Sequence, residues 1–253
     1  MPAQERQKPG FLASEEGARR LLLAAPIEVI GLLPYSTNHT FLVRLGSTSD
    51  ASAPLAVYKP ARGERPLYDF PNRTLYRREV AAYEVSRALG WDLVPPTVVR
   101  MDAPLGLGSL QLYVDHDPDE HYFSLLPGRK ATFKRLALFD ILCNNADRKA
   151  GHCLLDGDGR VWAVDHGLTF HPQTKLRTVI WDFAGLRIPA RDRLGVSGLA
   201  IAMAAPGSPL ESLLRELLAD EEVSALKRRA QALSQPCDYP APNSDWSFPW
   251  PLV

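Results

Sequence analysis

Residues 143–167 read CNNADRKAGHCLLDGDGRVWAVDHG, and this stretch decides the fold that the sequence predicts. A polar loop is followed by two short apolar runs, 153–155 and 160–164, and the DGDG between them predicts a tight β-hairpin. Asp147 precedes the hairpin and Asp165 ends it. Loops that are held by rigid elements often carry function, so both carboxylates are candidate site residues.

Two carboxylates in this arrangement suit phosphoryl transfer. One orients or deprotonates the acceptor hydroxyl, and the other holds the divalent metal ion that bridges the phosphates. Taken singly, each aspartate has a plainer explanation as part of an Asn/Asp-rich turn. His152 opens the hairpin and is either a metal ligand or a hydrogen-bonding structural histidine. Zinc is not indicated, because neither C-x-x-C nor H-E-x-x-H occurs.

A lysine and a glutamate upstream extend this pattern. Lys59 ends the apolar run AVYKP. Glu79 lies within a predicted helix, 73–89, on the same face as Tyr83. A carboxylate on a core-facing stripe requires a cation or hydrogen bonds, and kinase-like folds pair a strand lysine with a helix glutamate. The alternatives are a lysine that reaches solvent and a glutamate that pairs with a surface arginine.

Strand-like runs dominate the first part of the chain, at 27–33, 40–45, 55–59, 97–101 and 109–114. Helical patterns dominate the second part, where 131–142 is apolar on nearly all sides and Ser208-Pro209-Leu210-Glu211 is a good helix start. This order predicts an α+β protein with two lobes and a ligand cleft between them.

The composition argues against several classes of function. The 29 Lys and Arg residues balance 29 Asp and Glu residues, so no general basic field exists to attract nucleic acid. A hydrophobic content of 45% and a charged content of 23% are typical of a globular protein. The start is polar, no unbroken apolar run approaches about 18 residues, and the three cysteines form no framework. We therefore expect a cytoplasmic protein without a transmembrane segment, whereas peripheral membrane contact and the oligomeric state stay open.

The chain resembles the phosphatidylinositol 3- and 4-kinase superfamily in the ordered stretches AVYKP, REVAAYEVSRALGWDLVPPTVV, GSLQLYV, NNADRKAGHCLL and VWAVDHGLTFH. The type II phosphatidylinositol 4-kinases and small bacterial proteins with this domain are the nearest branches. The resemblance covers roughly residues 28–190. It implies a two-lobed protein-kinase-like fold and the cofactors ATP and Mg²⁺ (or Mn²⁺). It also implies transfer of the γ-phosphoryl group to a hydroxyl acceptor, which is a lipid, a protein or a small molecule.

The resemblance assigns nucleotide-binding roles. Lys59 would bind the ATP phosphates, Glu79 would anchor Lys59, and the backbone of Val114 would meet adenine. Three residues of the loop after the first strand would cover the phosphates: Ser36, Thr37 and Asn38. This loop lacks a glycine-rich motif, and a plain hairpin turn is the alternative for it.

The resemblance also assigns the chemistry. Asp147, with its neighbour Arg148, would be catalytic, and Asp165 would be the metal ligand of an Asp-His-Gly element. The family usually has a second metal ligand, an asparagine, five positions after the catalytic aspartate, and this chain has His152 there. Imidazole is a poorer ligand for Mg²⁺ than a carboxamide oxygen. A nucleotide-binding pseudokinase is therefore one rival interpretation, a protein Ser/Thr kinase is a second, and a scaffold with coincidental motifs is a third.

The expected boundaries follow from these assignments. Residues 1–12 would be disordered, 13–235 would form the kinase-like domain, and 236–253 would be an irregular Pro-rich tail whose aromatic residues either dock or await a partner. The lobes would span about 13–114 and 122–235. Lys175 and Arg177 either contact an anionic acceptor or form an ordinary solvated face.

Overall fold

The computed structural model describes residues 14–34, 38–46 and 53–253. The predictions for Ser36, Thr37 and the N-terminal segment 1–12 lie outside the described residues. The chain divides into two compact units. One unit combines residues up to Arg65 with Pro96–Tyr113, and the other combines Pro66–Pro95 with Val114–Val253.

The first unit is built on a five-stranded antiparallel sheet with the order β1-β2-β3-β5-β4. The strands are β1 (Ile27–Leu32), β2 (Phe41–Leu45), β3 (Leu55–Pro60), β4 (Thr97–Arg100) and β5 (Gly108–Leu112). Helix α1 (Glu15–Ala24) begins at Ser14, whose hydroxyl accepts a hydrogen bond from the Gly17 amide at 3.0 Å. Leu22 of α1 belongs to the same buried core as Tyr58 and Leu110 of the sheet.

The pairing of β3 with β5 fixes the position of Lys59. Alternate residues of β3 are buried, and Tyr58 is fully inside the core. Lys59 therefore points to the other face of the sheet, and it pairs with Ser109 of β5. A Cβ atom at the neighbouring Gly108 would collide with the carbonyl oxygen of Lys59, so this close pairing requires glycine.

The second unit is mainly helical. It contains α2 (Leu75–Ala88), α3 (Tyr122–Leu125), α4 (Lys130–Cys143), α5 (Ala190–Ala204), α6 (Pro209–Leu217) and α7 (Asp220–Ser234). A small hairpin, β6 (Cys153–Leu155) and β7 (Val161–Ala163), follows α4. Helix α4 is the centre of the unit, because Phe133, Leu136 and Phe139 are all fully buried and α7 packs on it. The helix and hairpin predicted around 131–164 are thus confirmed.

The strand-rich first part and helix-rich second part confirm the α+β class. Helix α5 was missed by the sequence analysis. Its sequence contains Gly195 and Gly198, which weaken a helical pattern. Gly195 has a packing reason, since a Cβ there would lie 3.2 Å from Nε1 of Trp91.

A buried ion pair joins α2 to α7. The guanidinium of Arg78 contacts the carboxylate of Glu222, and the side chains of both residues are at most 7% exposed. Arg78 also donates to the Thr169 carbonyl at 3.2 Å and to the Thr74 hydroxyl at 2.6 Å. These hydrogen bonds satisfy a charge that would otherwise be costly to bury.

We predict that Arg78→Ala lowers the free energy of unfolding by about 3–5 kcal/mol, because it leaves the Glu222 carboxylate buried without its cation. The matched control is Arg20→Ala in α1, where Arg20 and Glu16 are more than half exposed and lie 3.7 Å apart. Chemical denaturation should show almost no change for this control. Equal effects of the two substitutions would contradict the structural role of Arg78.

Candidate active site

The loop between α4 and β6 is held in place at its first residue. Asn144 ends α4 in the left-handed conformation, with φ of 53°. Its side-chain amide donates to the carbonyl oxygens of His171 (2.8 Å) and Gln173 (2.6 Å) and accepts from the amide of Lys175 (2.9 Å). One asparagine side chain thus ties the loop to the segment that passes beside it.

The buried guanidinium of Arg148 connects the loop that contains Asp147 to the segment that contains Asp165. Its side chain is 0% exposed and forms a two-pronged ion pair with Asp140 of α4, with Nε–Oδ2 and Nη2–Oδ1 distances of 3.0 Å. Nη1 donates to the carbonyl oxygen of Val164 at 2.8 Å. Nη2 lies 2.7 Å from Nε2 of His166, and this nitrogen must accept because an arginine can only donate. Val164 and His166 flank Asp165, so these contacts assign Arg148 a positioning role.

The Asp140 carboxylate, which binds Arg148, also anchors Asp147 through Asn145. Its backbone amide donates to Oδ1 of Asn145 at 3.0 Å, and the side chain of Asn145 donates to Asp140 at 3.0 Å. The side chain of Asp147 lies 3.5 Å from the Lys149 ammonium. Burial raises the pKa of Asp147 to about 6, Lys149 opposes the rise, and the negative charge of Asp165 adds to it.

Asp165 lies two residues after the end of β7 and has the left-handed conformation, with φ of 59°. Its side chain is half exposed, and Oδ2 lies 3.3 Å from Nε2 of His152. The other nitrogen of His152, Nδ1, accepts from the Lys149 amide at 3.3 Å. A neutral imidazole has one proton, so this contact places the proton on Nε2, facing Asp165.

Glu79 fastens α2 to the same segment. The carboxylate is 2% exposed, and Oε2 accepts a hydrogen bond from the His166 amide at 2.9 Å. The structure therefore brings Glu79 to the residue beside Asp165. The expected pairing of Glu79 with Lys59 stays a prediction.

Two further predicted binding residues have local contacts of their own. Asn38 belongs to the first unit, and its Oδ1 accepts from the Arg65 amide at 2.8 Å. Val114 belongs to the second unit, where it is buried and its carbonyl oxygen lies 2.8 Å from Nδ1 of His116. Their nucleotide-binding roles stay predictions.

No group of three or more His, Cys, Asp and Glu side chains in the described part of the chain could hold a metal ion. The two predicted metal ligands, His152 and Asp165, do lie in contact. Cys143 and Cys153 are fully buried, and burial raises the pKa of the Cys153 thiol to about 12. Both thiols therefore stay protonated at neutral pH in the metal-free protein.

The C-terminal aromatic residues were expected either to dock or to await a partner, and their segment docks beside the loop that contains Asp147. The carbonyl oxygen of Ser247 accepts from the Thr178 amide at 3.1 Å and from Nε1 of Trp181 at 3.2 Å. The carbonyl oxygen of Leu252 accepts from the amide of Ala150, three residues after Asp147, at 2.8 Å. The density of aromatic residues in DWSFPW is the sequence signal for this docking.

A curated relative covers nearly the whole chain. Protein Rv2133c of Mycobacterium tuberculosis is 40% identical over 266 residues, which include 91% of this chain and 94% of that protein. The chain belongs to the same family as this mycobacterial protein. No protein-family model matches the chain.

The chain also has a more distant sequence similarity to a plant kinase. Phosphatidylinositol 4-kinase gamma 4 of Oryza sativa subsp. japonica is 28% identical over 179 residues, which include 63% of this chain. The match spans 29% of the length of the rice protein. It supports a kinase-like domain rather than membership of the phosphatidylinositol kinases.

Two solved kinase structures share the fold. Hydra Fam20 with sugar has a TM-score of 0.55 at 17% identity, and 87% of each chain is covered. The Golgi casein kinase with Mn and ADP bound has a TM-score of 0.53 at 15% identity, covering 87% of this chain and 74% of that chain. The predicted kinase-like fold is therefore confirmed. Across the described residues, no helix has the length and apolar character needed to span a membrane.

The raised pKa of Asp147 predicts a specific dependence of stability on pH. A carboxyl group that binds its proton more tightly in the folded state stabilises the fold at low pH, and this stabilisation is lost as the pH rises from 3.8 to about 6. Since the side chain is 30% exposed, we expect the loss to be on the order of 1 kcal/mol. Asp147→Asn should remove this pH-dependent loss of stability.

Denaturation curves measured in a metal chelator between pH 4 and 7 test this expectation. The control Asp158→Asn, in the exposed hairpin turn, should keep the pH dependence of the unmodified chain. A stability difference between the unmodified chain and Asp147→Asn that does not change with pH would contradict the raised pKa.

Proposed function

We propose that this chain is an ATP-dependent phosphotransferase that moves the γ-phosphoryl group of ATP to a hydroxyl acceptor. The observation that carries the proposal is the buried Arg148 guanidinium, which ties the loop of Asp147 to the residues on both sides of Asp165, through the carbonyl oxygen of Val164 and the imidazole of His166. Phosphoryl transfer depends mainly on positioning and electrostatics, so two carboxylates fixed to one anchor suit it.

Asp147 would accept the proton of the acceptor hydroxyl. A base works best when its pKa is close to the working pH, and a value of about 6 keeps Asp147 ionised at neutral pH yet more basic than an ordinary aspartate. Lys149, 3.5 Å away, would limit the rise in its pKa and lend positive charge near the transferred group.

Lys59, Glu79, Val114 and the loop that contains Ser36, Thr37 and Asn38 would bind ATP. Glu79 supports this assignment because its carboxylate holds the His166 amide, one residue beyond the proposed metal ligand. The Golgi casein kinase, which shares the fold, binds Mn and ADP.

Asp165 fits a divalent metal of the Mg²⁺ or Mn²⁺ type. Such ions commonly use one or two carboxylates together with phosphate oxygens and water, and Asp165 offers a half-exposed carboxylate. The bound ion would neutralise charge on the phosphates. The ligand role predicted for His152 is less well supported, because Nε2 carries the proton while Nδ1 accepts from Lys149. We propose that His152 instead orients the Asp165 carboxylate by donating to it.

The acceptor is not fixed by these contacts. The similarity to the rice phosphatidylinositol 4-kinase supports testing a lipid, and the fold shared with the Golgi casein kinase supports testing a protein. A pseudokinase is the second candidate function, and the observation that favours it is the protonated Nε2 of His152 at a position where the lipid kinases have a ligand.

Removal of either aspartate should abolish turnover without unfolding the protein. We expect Asp147→Asn and Asp165→Asn each to lower ATP turnover at least about 100-fold, since one loses the proton acceptor and the other the metal ligand. Turnover is measured as ADP release with Mg²⁺ or Mn²⁺ across lipid, protein and small-molecule acceptors. Asp158→Asn is the matched control and should keep full activity. Tight ATP binding with no Asp147-dependent turnover would favour the pseudokinase.

Two substitutions of His152 distinguish a residue that positions Asp165 from a residue that binds the metal ion. If it positions Asp165, His152→Gln should keep most activity, because a glutamine amide can also donate to the carboxylate. His152→Ala should weaken the apparent metal affinity about 10-fold. The ratio of turnover with Mn²⁺ to turnover with Mg²⁺ should stay the same in both variants. A marked change in that ratio would instead identify His152 as a metal ligand.

A further inference from the structure

The docked C-terminal segment and the loop of Asp147 border a half-open cavity of about 340 Å³. Its lining combines Asp147 with six further residues: Arg177, Asp245, Trp246, Phe248, Pro249 and Trp250. This volume is at the lower end of the range for small-molecule sites. The candidate proton acceptor therefore forms part of the wall of a ligand-sized space.

The walls of the cavity are fixed to the loop that carries Asp147. The backbone of Arg177 brackets this residue, because its amide donates to the Asn145 carbonyl at 2.8 Å and its carbonyl accepts from the Arg148 amide at 3.0 Å. On the other side, Phe248 packs edge-on against Trp181, with ring centroids 6.3 Å apart. The cavity thus has a defined shape.

Aromatic rings dominate the cavity but stay open to solvent. Trp246 is 77% exposed and Trp250 is 87% exposed, although both lie in a docked segment. Clustered indole rings with open faces are characteristic of a binding surface rather than of a core. Indole faces cover the C–H faces of flat, ring-shaped ligands.

The charges in and beside the cavity balance, so the site favours a neutral acceptor over an anion. Asp147 and Asp245 contribute two carboxylates, and Arg177 contributes one guanidinium, which lies 5.7 Å from the centre of the Trp246 ring. The Lys149 ammonium lies 3.5 Å from the Asp147 carboxylate and balances one of the two negative charges. Lys175, the other cation of this segment, forms an ion pair with Asp69 at 2.8 Å. The carboxylates, the guanidinium and the indole N–H groups of the lining can all form hydrogen bonds with the hydroxyl groups of a neutral ligand.

We propose that this cavity is the acceptor subsite and that it binds a neutral saccharide ring stacked on the indoles. The inference rests on the proposed function. A sugar oxygen would form a bond to the γ-phosphorus, and the bond from that phosphorus to the bridging oxygen would break. ADP would leave with the electron pair, and the hydroxyl proton would pass to the Asp147 carboxylate.

Tryptophan fluorescence tests binding without any turnover. The full chain is titrated with glucose, galactose, mannose and maltose, and separately with glucose 6-phosphate as a charged comparison. We expect at least one neutral sugar to bind more than tenfold more tightly than glucose 6-phosphate. Trp250→Ala should weaken this binding about tenfold and Trp250→Phe should weaken it less. The control Leu194→Ala, in an exposed residue of α5, should leave binding unchanged.

Transfer of label from ATP identifies the source of the sugar. Free saccharides are compared with phosphatidylcholine vesicles that carry a glucosyl lipid, with phosphatidylinositol vesicles and with casein. Label in a free or lipid-linked neutral sugar supports the proposal. Label confined to phosphatidylinositol or to casein overturns it.

Sugar binding and phosphoryl transfer can fail separately in these experiments. If Asp147-dependent ATP turnover occurs while no neutral sugar binds, the saccharide subsite is wrong and the proposed function stands. If a sugar binds and Trp250→Ala weakens it, but ATP is never consumed, the sugar-binding site stands. In that case the phosphotransferase function and the acceptor role of the cavity are both wrong.

Discussion

The ion pair between Arg148 and Asp140 is the constraint on which the rest of the site depends. Both side chains are completely buried, so each charge requires the other. The carboxylate of Asp140 also accepts from Asn145, which holds the Asp147 amide. The guanidinium reaches the residues on both sides of Asp165. A single charge pair between α4 and the loop that follows it therefore sets where both candidate carboxylates lie, and the pair itself need never contact substrate.

The sequence predicted much of this site because its chemistry is local in the chain. Apolar runs separated by DGDG predicted the hairpin, and the polar residues at its ends predicted Asp147 and Asp165. The role of Arg148 could not be obtained in this way, because its partners on α4 and around Asp165 meet it only after folding. No sequence pattern indicated a role for Asp140, because it is a single carboxylate within a nearly apolar helix.

The position of the C-terminal segment also could not be predicted from the sequence. Its prolines prevent a helical or strand-like period, so no pattern indicated which residues face the protein. Its docking depends on backbone hydrogen bonds from Thr178 and Ala150, and side-chain patterns carry no information about those bonds. The composition of the segment indicated an aromatic surface, whereas its position beside Asp147 required the folded structure.

The proposed function requires Asp165 to hold a metal ion together with the phosphates of ATP. Electron paramagnetic resonance of free Mn²⁺ measures this, because bound ions lose their signal, once the Mn²⁺ that ATP binds without protein is subtracted. We expect ATP to create a tight additional Mn²⁺ site on the unmodified chain, Asp165→Asn to remove this site, and Asp158→Asn to retain it. Equal ATP-dependent Mn²⁺ binding by the unmodified chain and Asp165→Asn would contradict a metal-ligand role of Asp165.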